Sequence, residues 1–215
     1  MPRNNTFRLD KENIVLVEGN DDCDFFSYFL KFLNLTSFQI IGCGGKDFLK
    51  EKLTAIRLQH NFLDRLNLII VQDNDVKPSV RFSKICVDLR EVGVEAIPTS
   101  PYQLAGSNPA ISIVLLPNIG IPGDLEKLIL DTLGGNPIKE CSSDFISCIQ
   151  SIDGYQYSKV TKLAKAELQA VMSVIGEEPF RDIGIAAQHK AWDFSHPTFD
   201  HLKDFFSSIE CGKKF

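Results

Sequence analysis

No two cysteines in this chain have the C-x-x-C spacing of a zinc site or a redox dithiol. The six, Cys23, Cys43, Cys86, Cys141, Cys148 and Cys211, are scattered, and most fall inside apolar runs. Reduced thiols acting as small hydrophobes are expected there rather than zinc ligands. No stretch approaches the roughly 18 apolar residues needed to cross a bilayer, so no membrane association is expected. The amino terminus, MPRNNTFRLDKEN, has no apolar h-region, and a cytoplasmic location follows as an expectation. Positive charge is also in short supply. The 23 Lys and Arg residues stand against 28 Asp and Glu, a net charge of −5 that argues against a broad basic face for nucleic acid. Any phosphate contact must come from local lysines or from metal ions. Internal repeats and low-complexity linkers are missing, and none of the four tyrosines lies in a recognisable nucleophile setting.

Against these absences stands a hydrophobic content of 44% in 215 residues. A chain of this size buries roughly 70% of the surface it exposes when unfolded, enough for a real core. Asn13 to Val17 is a short continuous apolar run with β-branched members, the mark of a strand covered on both faces in a parallel sheet. Asp21 to Leu33 then places Phe25, Phe29, Phe32 and Leu33 at helical spacing. The stretch FQIIGCGGKD gives a second strand ending in glycines, and Asp47 to Gln59 repeats the helical period through Phe48, Leu49, Leu53 and Ile56. A third strand, LNLIIVQDND from Leu66, is followed by a helix from Arg81 that Gly93 closes. ISIVLLPN from Ile111 is a fourth strand. After Pro122 come the helix GDLEKLILDTLG and a helical stretch from Ser158 to Ile175, with no further strands. The alternation predicts an α/β fold: a mostly parallel open sheet flanked by helices over residues 1–135, and a helical extension packed on it over residues 136–215.

Ligands of open parallel sheets bind beyond the carboxyl ends of the strands, and two strand ends here are crowded with acid. Glu18 follows the first strand with Asp22 four residues later, and the third strand delivers Asp73 and Asp75, whose side chains point the same way if the backbone stays extended. Like charges this close raise one another's pKa unless a cation sits among them. Four converging carboxylates suit a hard divalent cation such as Mg²⁺ or Mn²⁺. Each cluster alone also has an ordinary use: Asp21 and Asp22 as helix caps, Asp73-Asn74-Asp75 as a turn.

A strand reading VLVEG followed by an acidic residue, with a later strand ending VQDND, resembles the Toprim domain. Topoisomerases, bacterial primases, recombination-mediator proteins and the overcoming-lysogenization-defect (OLD) nucleases share that domain, and the likeness covers roughly the first 130 residues. More narrowly, GGKDFL, LPNIGIPGDLEKLIL and KAWDFSHPTFDHLKDFF resemble a small family of stand-alone Toprim-like proteins, across almost the whole chain. The resemblance implies that Glu18 matches the Toprim glutamate, and Asp73 and Asp75 its DxD pair. Asp22 matches an acidic residue that binds metal in OLD-type nucleases, and Asp124 and Glu126 are candidates for the later motif that completes a second metal site. It further implies Mg²⁺ or Mn²⁺ as cofactor, Glu18 and Asp73 as catalytic residues, and a lysine near the scissile phosphate, for which Lys190 is the candidate. The chain departs from many Toprim domains where the DxD motif runs into Val76-Lys77-Pro78 instead of a glycine.

Other residues admit two readings. Gly42-Cys43-Gly44-Gly45-Lys46 lies between a strand and a helix, so the amides of Gly44 and Gly45 with Lys46 could cradle a phosphate, or the glycines could simply permit a tight turn. It is not a Walker A sequence, because Asp47 replaces the required Ser or Thr. Lys159, Lys162 and Lys165 recur every third residue, either a solvated face or a rail for a phosphate backbone. His196 and His201 lack a completing ligand pattern, and a turn into the last helix accounts for them. Trp192 and most of the 16 phenylalanines suit packing better than base stacking.

The expectation drawn from these residues and from the resemblance is a Mg²⁺- or Mn²⁺-dependent phosphodiester hydrolase acting on DNA or RNA. The alternative is a non-catalytic nucleotide- or nucleic-acid-binding regulator in a defence or repair system. Nucleotidyl transfer, as in primases, would need a polymerase region that is not visible. OLD proteins carry an ATPase module that this chain lacks, so a separate ATPase or partner protein is a further expectation, and a homodimer stays open.

Overall fold

The computed structural model describes residues 8–154 and 160–212, and the side chains of all of these but 160–162. Four strands, β1 (Asn13–Val17), β2 (Phe38–Gly42), β3 (Asn67–Asp73) and β4 (Ala110–Leu116), form one all-parallel sheet in the order β2-β1-β3-β4. Parallel neighbours need crossovers, and these are helical: α1 (Asn20–Phe32) joins β1 to β2, α2 (Leu49–Arg57) lies between β2 and β3, and α3 (Pro78–Glu91) between β3 and β4. After β4 the chain is helical, with α4 (Leu125–Asp131), α5 (Pro137–Gln150), α6 (Val160–Met172), α7 (Ile183–Gln188) and α8 (Asp200–Glu210). The fold is therefore α/β, as the alternation predicts. Among the described residues no helix is long and apolar enough to cross a membrane.

Every residue of β1 is buried, because the sheet is covered on both faces. The two-residue period of a strand divides its side chains between two cores. Val15, Val17, Ile69, Val71, Val114 and Leu116 face a core shared with α1, α4 and residues 168–209. Ile14, Leu16, Leu68, Ile70, Ile113 and Leu115 face a second core completed by α2 and α3. The first core is aromatic. Phe29 is fully buried, with ring centroids 5.4 Å from Phe194 and 5.7 Å from Phe199, so phenylalanines far apart in sequence tie the last helices to α1. The carboxy-terminal helices thus share a core with the sheet.

Some elements differ from expectation. α3 begins at Pro78 rather than Arg81, because proline at the first helical position is pre-organised and loses no hydrogen bond there. α5 has no counterpart in the sequence reading: its PIKECSSDFISCIQ is rich in serine and cysteine, which carry weak helix propensity. Its start is set by Asn136, whose side chain accepts from the Ile138 amide at 2.9 Å. Ser158 and Lys159, the expected start of α6, lie outside the described residues.

α7 approaches α1 closely because Gly184 has no side chain. A Cβ at that position would fall inside the van der Waals surface of the Asp24 Cβ. Gly184→Ala is accordingly expected to force α7 away from α1 and to lower stability by about 1–3 kcal/mol despite alanine's better helix propensity, an outcome that urea unfolding checks.

Candidate metal centre

β1 and β3 are hydrogen-bonded neighbours, with Leu16 opposite Ile70, so the loops carrying Glu18 and Asp73 leave the sheet side by side at its carboxyl end. Strand alternation sends Glu18 toward the α2 and α3 side and Asp73 toward the α1 and α4 side. The backbone of Glu18 is fixed first. Its carbonyl accepts from the amides of Gly44 at 3.1 Å and Gly45 at 2.9 Å, in a loop where Gly44 has φ of 90°, a conformation natural to glycine. This corrects the phosphate-cradle reading, because the Gly44 and Gly45 amides are already spent on Glu18. Lys46 instead lies 3.9 Å from Asp75.

The Asp73-Asn74-Asp75 triplet is not an extended strand end. Asp73 closes β3 and its Oδ1 accepts from the Leu125 amide at 3.2 Å. Asn74 is fully buried and its Nδ2 donates to the carbonyls of Asn118 and Ile121, both at 2.7 Å. Asp75 turns into the left-handed region, φ 51°, and exchanges both backbone hydrogen bonds with Gly123 at 2.8 and 2.9 Å. The Asp73 and Asp75 side chains therefore do not share a strand face as expected. The loop after β3 is laced to the loop after β4, and that lacing delivers Asp124 and Glu126. Asn74 is a positioning residue that sequence reasoning passed over. An amide placed between two acids at the end of an apolar run was the available signal.

Asp124 is the N-cap of α4, its Oδ1 accepting from the Lys127 amide at 3.0 Å. Its other oxygen, Oδ2, is buried with no hydrogen-bond partner among the described residues. Asp22 caps too, with Oδ2 accepting from the Gly19 amide at 2.8 Å. Capping and clustering are thus combined in the same side chains.

Three basic residues stand among the acids. The buried Arg81 guanidinium reaches Glu18 at 3.4 Å and also bonds the Gln72 side chain. Lys165 pairs with Glu126 at 2.9 Å, and burial, which opposes its charge, is outweighed by Glu126 and its neighbours, so its pKa is raised. Lys46 faces Asp75. Neither Arg81 nor the role of Lys165 was legible as a site feature, since the first sits on an ordinary amphipathic helix and the second on the lysine ridge. Lys159 and the side chain of Lys162, also on that ridge, lie outside the described residues. Lys190 is misplaced: it lines a concavity with Lys31 at the other end of α1, about 13 Å along the helix from Asp22.

The acids feel one another. Burial pushes the Asp22 carboxyl up to about 6, aided by Glu18 and Glu126 and opposed by the Gly19 amide. Asp124 also rises to about 6, through burial and then Glu126. Glu18 rises by burial against the pull of Arg81. Asp73 is raised well above the usual carboxylate range, by burial and by Asp22, Glu18, Glu126 and Asp124. Among the described residues, however, no three acidic, histidine or cysteine side chains are gathered as a finished metal site. The all-oxygen donor set and the orphaned Asp124 oxygen fit a hard divalent cation.

Over residues 12–211 the chain matches the family described as protein of unknown function (DUF3226). The chain belongs to that family. No curated protein and no solved structure matches it.

Asp22 and Asp124 of this family member titrate higher folded than unfolded, where aspartates titrate near 3.9. The folded state then binds more protons than the unfolded chain between about pH 4 and pH 6, so stability without metal is expected to fall as pH rises through that window. Urea unfolding in EDTA across that range checks the slope, which Asp22→Asn is expected to flatten while keeping the bond from Gly19.

Proposed function

We propose that this protein is a Mg²⁺- or Mn²⁺-dependent phosphodiester hydrolase acting on DNA or RNA, with a Toprim-like acidic site. The observation that carries the reading is the gathering of Glu18, Asp22 and Asp124 around Asp73 at one end of adjacent parallel strands, close enough that all three raise the pKa of Asp73. Glu18, Asp22, Asp73 and Asp75 would hold the metal, with Asp124 and Glu126 serving a second position. Bound there, divalent ions supply an activated water and stabilise the leaving oxygen. Lys165 rather than Lys190 is the lysine available to neutralise charge on the phosphate, because it stands beside Glu126 and acts electrostatically on Asp73 and Asp124. Arg81 orients Glu18 and holds it in place against its acidic neighbours. The six unpaired cysteines support a reducing, cytoplasmic setting.

One observation favours a second reading. Glu18, Glu126 and Asp75 are each already paired with a basic side chain, as they would be in a regulator that binds nucleic acid or nucleotide without turnover and works beside a separate ATPase or partner.

Nicking of supercoiled plasmid in Mn²⁺ separates the two readings. Wild type is expected to nick, Asp73→Asn to fall to background, and Lys165→Met to lose about 10²–10³-fold in rate. Asp75→Asn is expected to lose activity and metal-dependent stabilisation while melting no lower than wild type in EDTA, since asparagine accepts the left-handed backbone of Asp75 and relieves repulsion. Nicking that persists in Asp73→Asn contradicts the hydrolase reading.

A further inference from the structure

A concavity of about 590 Å³ opens at the carboxy-terminal end of α1, lined among others by Tyr28, Lys31, Phe32, Gln188, Lys190 and Trp192. Its volume falls in the range of small-molecule sites, roughly 300–1,000 Å³. One wall is aromatic. Phe32 is half exposed, its ring 5.7 Å from that of buried Phe194, and the buried Trp192 indole donates to the Ile183 carbonyl at 3.1 Å. Neither Lys31 nor Lys190 has an ion-pair partner among the described residues. The acid at the same rim, Asp193, is committed to the amide and hydroxyl of Ser195. In a protein of net charge −5, two cations without ion pairs, outnumbering the one carboxylate at the rim, beside exposed aromatic surface suit an anion with a flat apolar body.

Lys190 adds an independent observation. It ends α7 in the left-handed conformation, φ 59°, with its amide on the Ala187 carbonyl and the Ala191 amide on Ala186. This is the helix-terminating geometry in which glycine is the least strained residue, so helix termination does not account for a lysine there.

We propose that this concavity binds a nucleotide, its base stacked against Phe32 and Tyr28, its polar edge met by Gln188, and its phosphate held by Lys31 and Lys190. The site is separate from the acidic cleft and does not rest on the hydrolase reading. Trp192 is the chain's one tryptophan, so its fluorescence reports on this concavity. In EDTA, adenosine 5′-monophosphate is expected to give a saturable change, while adenosine and inorganic phosphate, which each lack half of the contacts, bind at least about tenfold more weakly. Lys31→Gln and Lys190→Gly are each expected to weaken the nucleotide about tenfold. Lys190→Gly is expected to melt no lower than wild type, since glycine relieves the left-handed backbone, so weaker binding could not be assigned to unfolding. A flat titration with adenosine and guanosine monophosphates, binding that tolerates both substitutions, inorganic phosphate acting as strongly as the nucleotide, or a response only to an acidic peptide would each overturn the proposal.

Discussion

The parallel pairing of β1 with β3 is the constraint on which the rest of this molecule depends. Parallel neighbours both point their carboxyl ends the same way, so the residues just past Val17 and just past Gln72 must emerge together. A helical crossover on each side then walls the exit with protein. Glu18, Asp22, Asp73 and Asp124 are consequently desolvated as well as crowded, and on these four carboxyls the two effects act in the same direction. The second lacing, between Asp75 and Gly123, brings the loop after β4 into the same space.

Such a cluster is a local conflict within an otherwise consistent fold, and the protein moderates it with its own cations. Arg81 reaches Glu18 from α3, Lys165 reaches Glu126 from α6, and Lys46 reaches Asp75 from the loop after β2. Three different elements contribute, so the neutralisation is a property of the fold rather than of one motif. Among the described residues, three of the six carboxylates have a basic partner, and Asp22, Asp73 and Asp124 stand in a partly buried cleft without an ion pair. Under the proposed function, a divalent cation supplies what is missing, and the basic residues become free to act on phosphate.

Much of this was legible in the sequence because buried parallel strands write themselves as continuous apolar runs. Asn13–Val17, Asn67–Asp73 and Ala110–Leu116 are such runs, and each stands close to where it was expected. The acids could be read for the same reason, as charge placed where hydrophobic pattern stops. What could not be read depends on contacts across the fold. Glycines in Gly44-Gly45 look alike whether their amides meet a phosphate or the Glu18 carbonyl. An extended Asp73-Asn74-Asp75 and a left-handed one have the same letters, and only the pairing of Asp75 with Gly123 decides between them. Lys165 and Lys190 differ in role because α6 crosses α4 near the acidic cleft while α7 runs along α1 away from it, and no local pattern encodes that. α5 escaped notice because its helix is sustained by its cap and its packing rather than by residue propensity.

The central claim is that Glu18 and Asp73 share a divalent cation. The most direct measurement is a crystal structure of the protein soaked in Mn²⁺, with anomalous diffraction locating the metal. The account predicts a peak between the two carboxyl groups at about 2.0–2.3 Å from their oxygens, with the Arg81 guanidinium withdrawn from Glu18. An ordered cleft with no peak, or with manganese only at surface carboxylates and Arg81 still bound to Glu18, would contradict it.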